Sequence, residues 1–368
     1  MRILYLIHNL ADPALERRVS MLRRGGAIVS LTGFWRGARQ PETVADWPLI
    51  PLGKTADAAL LSRAFKVFNL CLVQPAALRK AAREADVLLA RNLEMLAIAV
   101  MLLRPRQRLV YECLDVHRSL IGTSLASRML RALERRLMAK CALVVLSSPG
   151  FVHNYFEPLQ KLARPILLVE NKPLPADGPD PPVPLRSGPP WRLAWFGNLR
   201  CRRTLRELSA AVKAAPDKVA VLVAGRASAA EFPDFEQEIG AFPVEYYGPF
   251  DAADLTRLYG RCHFAWCIDY FEDGLNSDWL LPCRLYEALA NGAVPIARAG
   301  TEIAHWLKEM GVGITLPRDD PGEALPHLLQ SLDETAYRKL QAAVLGLPRD
   351  RLVTSLADMQ RLVGALAG

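Results

Sequence analysis

Short apolar runs with the composition of β-strands alternate with amphipathic helical segments along this sequence. In the first half, the run over residues 3–7 precedes a helical pattern over 13–24. In the second half, the run over 191–196 precedes one over 204–215. Strands that alternate with helices in this way typically form a parallel sheet that is covered on both faces. The pattern therefore predicts an α/β fold with Rossmann-like parallel sheets.

A proline-rich segment divides this pattern into two halves. Eight of the eighteen residues from Pro173 to Pro190 are proline, and three more are glycine or serine. Such a composition favours a semi-rigid linker over a packed core. A chain of 368 residues is also long enough to bury two cores. We therefore predict a first domain over residues 1–175, a linker over 176–190 and a second domain over 191–349.

The net charge of +8 is concentrated in the first half of the chain. Residues 1–175 contain 26 Lys and Arg but only 13 Asp and Glu, a net charge of +13, whereas the remainder carries −5. A basic domain favours an anionic partner, such as phospholipid head groups or a diphosphate-linked acceptor. Two basic amphipathic segments, over 56–85 and 124–141, either cover the predicted sheet or rest on an anionic membrane. We expect no nucleic-acid partner, because the basic residues are not interleaved with aromatic residues as in a single-strand platform.

The N-terminal residues and the cysteines bear on the cellular compartment. Residues 1–8 contain one basic residue and a short apolar run, which is too little for a secretory signal. The apolar tract over 87–103 is interrupted by Arg91, Asn92 and Glu94, so we do not expect it to span a membrane. The seven cysteines form no Cys-x-x-Cys pair and no Cys/His cluster, which predicts free thiols and no zinc site. We expect a cytoplasmic protein, peripheral on the inner face of the plasma membrane if its basic segments bind lipid.

One segment of the second half joins a proline-led turn, a helix and a strand. It begins at Leu281 with Leu-Pro-Cys-Arg-Leu-Tyr-Glu and continues through Gly292 and Pro295 to Arg298. Glu287 lies between apolar neighbours near the start of the predicted helix. A carboxylate in that position either caps backbone amides or meets a ligand from outside.

This segment resembles the C-terminal signature of family 4-like retaining glycosyltransferases with the GT-B architecture. The family pattern reads Leu-Pro-x-Lys/Arg-Leu-Tyr-Glu, followed by a small-residue helix and Gly-x-x-Pro, and its glutamate holds the ribose hydroxyls of a nucleotide sugar. The resemblance implies two Rossmann-like domains that face each other across a cleft. It assigns the ribose to Glu287 and places Arg284 and Leu285 beside the donor nucleotide. It also implies that the amphipathic tail over 350–368 crosses back onto the first domain.

A glycosyl donor of this kind needs its two phosphates stabilised as they leave. Enzymes use either a divalent metal on an Asp-x-Asp motif, which this sequence lacks, or fixed cations and helix N-termini. The segment that starts at Gly197 is similar to the family's Gly-Arg-Leu-x-x-x-Lys element, with Asn198 in place of the usual arginine. We therefore predict that Gly197, Asn198, Arg200 and Arg203 bind the diphosphate and that no metal or other cofactor takes part. The alternative is a solvated basic turn.

Two further assignments concern the nucleobase and the sugar of the donor. The segment Gly248-Pro249-Phe250 resembles the loop that frames the nucleobase, although Phe250 equally fits a core position. Family members often carry a first glutamate eight residues before the ribose glutamate, where it touches the donor sugar. In this chain that position is Trp279. Either the role is lost or it passes to a neighbour, for which the candidates are Asp278, Ser277 and Asn276.

Polar residues also follow the predicted strands of the first domain. In an open parallel sheet the ligand crevice lies outside the carboxyl ends of the strands. Asp115 and His117 follow the apolar run over 108–113. Their placement before a helix resembles the family and predicts a catalytic role, with a structural histidine as the alternative. The predicted acceptor side is formed by residues that follow two other strands: His8, Asn9, Asn92 and Glu94.

These expectations describe a hexosyltransferase-type enzyme. It would move a sugar from a nucleoside-diphosphate sugar to a hydroxyl acceptor, with retention of configuration and without a metal. A lipid-linked saccharide used in cell-surface polysaccharide synthesis is the predicted acceptor. Two alternatives remain open, namely a nucleotide-sugar 2-epimerase and a catalytically silent nucleotide-sugar-binding protein or partner subunit.

Overall fold

The computed structural model describes residues 1–35, 43–44, 47–55, 60–175 and 188–368. The chain divides into two compact units. The first unit consists of Met1–Glu170 and Ser355–Gly368, and the second of Asn171–Thr354. Most of the predicted linker, over 176–187, lies outside the described residues.

The division between the units falls at Glu170, a few residues before the predicted end of the first domain. The residues that follow are bonded to the end of the second unit. The backbone N–H of Thr354 donates to the carbonyl oxygen of Pro173 at 2.9 Å, and Lys172 Nζ donates to that of Asp350 at 2.8 Å. These two bonds hold residues 172–173 against residues 350–354.

The first unit is built on one sheet with helices around it. Its strands are β1 (Arg2–Ile7), β2 (Ile28–Trp35), β3 (Thr43–Val44), β4 (Trp47–Lys54), β5 (Val87–Arg91), β6 (Arg108–Cys113), β7 (Leu143–Leu146) and β8 (Ile166–Leu168). Its helices before the division are α1 (Pro13–Arg24), α2 (Leu60–Leu72), α3 (Ala76–Glu84), α4 (Asn92–Leu102), α5 (Arg118–Ile121), α6 (Leu125–Met138) and α7 (Pro149–Phe151), followed by a π-helical turn at Val152–Phe156.

The sheet of the first unit has the order β3-β4-β2-β1-β5-β6-β7-β8. All of its pairs are parallel except β3 with β4. Strand β1 lies near the centre, and every residue from Ile3 to Ile7 is buried. Continuous apolar strands of this kind are expected where helices cover both faces of a sheet.

The second unit is a parallel sheet with the order β11-β10-β9-β12-β13-β14. Its strands are β9 (Trp191–Leu199), β10 (Val219–Ala227), β11 (Glu245–Gly248), β12 (Phe264–Trp266), β13 (Val294–Arg298) and β14 (Ile314–Leu316). Its helices are α8 (Arg202–Ala214), α9 (Phe235–Ile239), α10 (Leu255–Gly260), α11 (Asn276–Trp279), α12 (Cys283–Ala290), α13 (Glu302–Met310), α14 (Pro321–Ser331), α15 (Glu334–Leu345) and α16 (Arg349–Leu352), with a 3-10 turn at Ala252–Asp254. The strand order reverses at β9 and β12. A doubly wound sheet typically binds its ligand at the carboxyl ends of such a strand pair.

The last helix, α17 (Leu356–Ala367), belongs to the first unit and packs against α1. Ser355 and Asp358 form a capping box at its start. Gly25, at the end of α1, permits the close approach, because a Cβ atom there would lie 2.5 Å from the carbonyl oxygen of Met359. The C-terminal segment thus completes the helical cover of the first sheet.

The single helical region predicted over 56–85 is wrong in one respect, because the structure has two helices there. Helix α2 ends at Leu72 and α3 begins at Ala76, with Pro75 as the residue that precedes α3. Proline disfavours the helical conformation of the residue before it, so the break falls at Gln74. Residues 56–59 of the predicted helix lie outside the described residues.

A buried ionic cluster ties α1 to three strands of the first unit. Glu112, on β6, accepts from Arg91 Nε at 2.8 Å, lies 2.6 Å from Arg18 Nε and accepts from the Tyr5 hydroxyl. Arg91 Nη1 also donates to Asp12 at 2.7 Å. Burial alone would raise the pKa of Glu112, but the two guanidinium groups outweigh it and lower the pKa to about 2. The carboxylate is therefore held ionised in the core.

Glu134, on α6, is a second buried carboxyl group with different neighbours. Its described hydrogen-bond partners are the uncharged side chains of Tyr111, at 2.7 Å, Tyr155 and Gln160. Burial raises the pKa of Glu134, and these hydrogen bonds only moderate the rise. The first unit thus lowers the pKa of one buried glutamate and raises the pKa of the other.

We predict that Glu112→Gln lowers the free energy of unfolding by about 3 kcal/mol near neutral pH, because it leaves two buried guanidinium groups short of a counter-charge. The native pKa of Glu112 is depressed, so its contribution is present above the unfolded-state pKa. It should be lost as the pH falls from about 4.5 towards about 2. Urea unfolding of both proteins at several pH values measures this difference.

Glu134→Gln is the matched control for that experiment. The native pKa of Glu134 is raised, so the stability difference from wild type should not shrink on acidification. A Glu112→Gln difference that stays constant down to acid pH would contradict the assignment of an ionised Glu112.

Candidate functional site

Two glycines pair near the carboxyl ends of β9 and β10 in the second unit, where the sequence predicted a turn but strand β9 continues to Leu199. Gly197 has a positive φ of 112°, and Gly225, its register partner on β10, has one of 137°. A Cβ atom at Gly225 would collide with the carbonyl oxygen of Gly197. Both positions therefore require glycine, and the two backbones approach closely there. Asn198, the next residue of β9, is exposed.

Helix α8 begins shortly after the end of β9. Arg202, its first residue, donates its backbone N–H to Glu231 at 3.0 Å, and its guanidinium donates to Glu238 at 2.8 Å. The N–H of Thr204 donates to the sulfur of Cys201 at 3.4 Å. Two amides of the helix N-terminus are thus already bonded within the protein, so any anion bound here would depend mainly on nearby side chains.

Arg200 is held at this strand end by the loop that follows β12. Its Nη2 donates to Asp269 at 2.7 Å, and its guanidinium carbon lies 4.6 Å from the centre of the Phe271 ring. Burial favours the neutral form of Asp269, but Arg200 and Arg284 outweigh it and lower the pKa of that carboxyl below its ordinary value. Asp269 is therefore paired with Arg200 and is also stabilised as a carboxylate by the charge of Arg284.

Arg284 and Glu287 lie one turn apart on α12, so they project from the same side of the helix. Both charges act on Cys267, which follows β12. Burial raises the pKa of this thiol to about 12, Arg284 lowers it, and Glu287 raises it. Glu287 is half-buried, whereas Leu285 between them is fully buried in the core. The structure thus brings Arg200, Asp269, Arg284 and Glu287 to the carboxyl ends of β9 and β12.

Arg203 belongs to a neighbouring group of contacts. Its Nε donates to Glu207 at 2.8 Å, and its guanidinium carbon lies 4.0 Å from the centre of the Tyr270 ring. The Tyr270 hydroxyl in turn donates to Glu207 at 2.7 Å. The two arginines predicted for the diphosphate are therefore held by consecutive residues of one loop, Arg200 by Asp269 and Arg203 by Tyr270.

The candidates for the donor sugar are buried and already bonded within the second unit. Asp278, on α11, accepts from Arg298 and from Arg318, each at 2.8 Å. Ser277 Oγ accepts from the backbone N–H of Glu272 at 3.0 Å, and Asn276 is buried at the start of α11. Phe250 is half-buried and packs on Phe196 with ring centres 6.0 Å apart.

The predicted residues of the first unit lie along one edge of its sheet. Strands β1, β5 and β6 are adjacent. His8 follows β1, and its Nδ1 lies 3.2 Å from the side-chain nitrogen of Asn92, the first residue after β5. Asn92 has a positive φ of 70°, which is uncommon for a residue other than glycine and often marks a functional position. Asn9 Oδ1 accepts from the N–H of Ala11 at 3.2 Å, and Glu94 lies in the first turn of α4.

His117 and Asp115 are exposed after β6. His117 is the N-cap of α5, and its Nδ1 accepts from the backbone N–H of Ser119 at 3.2 Å. An Nδ1 atom that accepts a hydrogen bond leaves the proton of the neutral ring on Nε2. The described geometry therefore gives His117 a capping role and defines its tautomer.

Two charged residues at strand ends of the second unit were not predicted from the sequence. Asp269, which orients Arg200, directly follows the apolar run over 263–268, and Arg298, which binds Asp278, ends the strand β13. A charged residue at the carboxyl end of a buried strand was the available signal.

Among the residues that the structure describes, no group of three or more His, Cys, Asp or Glu side chains is arranged to hold a metal ion. Within the same part of the chain, no helix combines the length and the apolar character needed to cross a membrane.

Comparison with curated proteins identifies the family. No protein-family model matches the chain. The chain is 38% identical over 378 residues to the succinoglycan biosynthesis protein ExoL of Rhizobium meliloti, and the match covers 100% of this chain and 93% of ExoL. The chain belongs to the ExoL family.

Solved structures establish the fold of this ExoL-family protein. Sucrose-phosphate synthase from Thermosynechococcus elongatus superimposes with a TM-score of 0.71 at 15% identity, covering 100% of this chain and 98% of that one. Anabaena HepE in complex with UDP and glucose gives 0.66 at 15% identity, covering 99% and 98%. WaaG, a glycosyltransferase involved in lipopolysaccharide biosynthesis, gives 0.65 at 13% identity, covering 100% of both chains. The predicted fold class, a GT-B fold with two Rossmann-like domains, is confirmed.

Proposed function

We propose that this ExoL-family protein transfers a sugar from a nucleoside-diphosphate sugar to a hydroxyl group of a saccharide acceptor in cell-surface polysaccharide synthesis. The observation that carries the proposal is the group of Arg200, Asp269, Arg284 and Glu287 at the strand-order reversal of the second unit. Its support from relatives is that ExoL is a succinoglycan biosynthesis protein and that HepE is seen with UDP-glucose.

The charges of this group match a nucleotide from ribose to diphosphate. Arg200, which pairs with Asp269, and Arg284 offer charge-assisted donors to a diphosphate. Gly197, near the end of β9, leaves the adjacent backbone uncovered by a side chain. We assign the ribose hydroxyls to Glu287, one helical turn from Arg284, because its carboxylate can accept their hydrogen bonds. Each end of the donor nucleotide thus has a side chain of suitable charge.

Fixed arginines also account for the leaving group. As the glycosidic bond breaks, negative charge grows on the diphosphate, and preorganised cations stabilise that charge without moving. Arg200 is preorganised by Asp269 and by the Phe271 ring. We therefore propose that the transfer is metal-independent and, following the resemblance described above, that it retains the anomeric configuration.

For the first unit, we propose that the edge formed by β1, β5 and β6 holds the acceptor. His8 and Asn92 support each other there, and Asn9 and Glu94 add polar groups. His117, with its Nε2 proton, is suited to donate a hydrogen bond to a sugar hydroxyl, and Asp115 lies two residues away on the same exposed segment. We assign to these residues the binding of the acceptor and contact with the reacting centre.

A thermal-shift panel of ribonucleoside diphosphates tests the function. We expect one member to raise the melting temperature, since a ligand at a hundred times its dissociation constant stabilises the native state by about 2.7 kcal/mol. We further expect Glu287→Gln to bind that nucleotide about tenfold more weakly, because a charged hydrogen-bond acceptor is lost. The 2′,3′-dideoxy analogue should bind wild type and variant alike, because it has no ribose hydroxyls.

The control is Glu334→Gln, which removes an exposed carboxylate that pairs with Arg338 on α15. No stabilisation by any nucleoside diphosphate would contradict the proposed function. An equal loss of affinity for the ribose and dideoxy nucleotides would contradict only the role of Glu287.

We also propose that the acceptor is lipid-linked and that the first unit meets it at an anionic membrane surface. Helix α2 exposes Phe65 and Phe68 at 65% and 59%, and α6 exposes Leu125 and Met129 at 71% and 65%. Helix α4 packs against both α2 and α6. Exposed basic residues share these two helices: Lys66, Arg128 and Arg136. Apolar side chains flanked by cations are typical of an interfacial helix.

Vesicle flotation tests the membrane contact. Wild-type protein should float with phosphatidylcholine vesicles that contain phosphatidylglycerol, less so at high salt, and not with phosphatidylcholine alone. Replacing Phe65 and Phe68 together by Ser should weaken flotation about tenfold. Leu345→Ser, an exposed apolar residue of α15 in the second unit, is the control. Flotation that does not depend on lipid charge and that the replacement of Phe65 and Phe68 does not weaken would contradict the membrane contact.

A further inference from the structure

Arg298 is a buried charge that the roles described so far do not use. It is the last residue of β13 and only 3% exposed. Its guanidinium donates to both carboxylate oxygens of Asp273 and, at 2.8 Å, to Asp278. Its guanidinium carbon lies 5.0 Å from the centre of the Tyr270 ring. Among the residues that the structure describes, its buried Nε has no hydrogen-bond partner, and a buried donor of that kind is costly.

Asp278 is the point at which this arginine meets the loop between β12 and α12. It is 6% exposed, and its second carboxylate oxygen accepts from Arg318 Nη2 at 2.8 Å. Arg318 follows β14, so Asp278 joins the short helix α11 to the carboxyl ends of two strands. Within the loop, the bond from the Glu272 N–H to Ser277 Oγ holds the other side of the turn.

The location of this cluster relates it to the donor. Strand β13 is the neighbour of β12, whose following residues carry Asp269. Tyr270, next to Asp269, lies against the guanidinium groups of both Arg203 and Arg298. The cluster is therefore one strand further along the edge that holds the nucleotide-binding candidates. The sugar of a bound nucleotide sugar extends beyond the diphosphate, and α11 is the element available there.

A buried ion pair is weak evidence of stabilisation by itself. Taking a guanidinium and a carboxylate out of water costs about as much as their attraction returns, and an apolar replacement is often neutral. A group retained under these conditions is better explained by what it positions. Here the positioned element is α11 (Asn276–Trp279), which holds the candidates for the donor sugar.

We propose that Arg298 is a positioning residue for the donor sugar. Through Asp278 it fixes α11, so that the polar groups of this turn meet the sugar hydroxyls in a chain where Trp279 occupies the place of the family's sugar-binding glutamate. This inference rests on the proposed function. It concerns the sugar end of the site and leaves the binding of the nucleoside diphosphate to the residues named above.

Calorimetry with two probes separates the sugar end from the nucleotide end. The probes are UDP and UDP-glucose, and the variants are Arg298→Gln, Arg298→Lys and Asp278→Asn. We expect Arg298→Gln to leave the affinity for UDP within about twofold of wild type and to weaken that for UDP-glucose about tenfold. The rate of UDP-glucose hydrolysis, which needs no acceptor, should fall with it. Arg298→Lys should restore part of both.

A double variant tests whether Arg298 acts through Asp278. If it does, Arg298→Gln combined with Asp278→Asn should lose less than the sum of the two single losses, because the bond between them is removed in each single variant, whereas those to Asp273 and Arg318 are separate. Arg338→Gln is the control, since it breaks an exposed ion pair with Glu334 in the same unit. It should change neither affinity. Additive losses in the double variant would overturn the coupling.

Two results of this calorimetry would overturn the role of Arg298. An equal loss of affinity for UDP and UDP-glucose, with a lowered melting temperature, would show a purely structural role and overturn the inference. So would unchanged binding of both probes. If wild type binds no nucleoside diphosphate at all, the proposed function fails and the inference falls with it, whereas UDP binding that persists in every variant keeps the two failures apart.

Discussion

Both units bury an arginine at the carboxyl end of a parallel strand and neutralise it with carboxylates from other segments. Arg91 ends β5 and Arg298 ends β13, and they are 1% and 3% exposed. Burying a guanidinium costs several kcal/mol unless its charge is met. The acids that meet it come from distant segments, so neutralisation constrains how those segments lie over the strand ends. This edge of each sheet is also where the candidate site residues lie.

The candidate nucleotide site contains the same type of interaction. Asp269 pairs with Arg200 and is also influenced by the charge of Arg284. At Arg298 and Arg318, two arginines meet Asp273 and Asp278, so the formal charges cancel. We assign the diphosphate to the arginines of the first group and the positioning of the sugar-binding turn to the second. The loop between β12 and α12 supplies acids to both.

The sequence was sufficient for the architecture and for nominating residues of the candidate site. Apolar periodicity reports which segments are buried, so alternating strands and helices were predicted from it, and Glu287 and Arg200 stood out as charges in apolar surroundings or at a strand end. Pairing was not accessible in this way. Asp278 meets Arg298 and Arg318, and Glu112 meets Arg18 and Arg91, across long stretches of chain. Periodicity carries no information on such contacts, and Pro75 alone signalled the break between α2 and α3.

A crystal structure of the protein with UDP would test the central claim most directly, because that claim is a place and an orientation for the nucleotide. We expect the ribose hydroxyls to lie within hydrogen-bond distance of the Glu287 carboxylate and the phosphates to lie beside Arg200 and Gly197. A nucleotide bound elsewhere, or one whose ribose points away from Glu287, would contradict it.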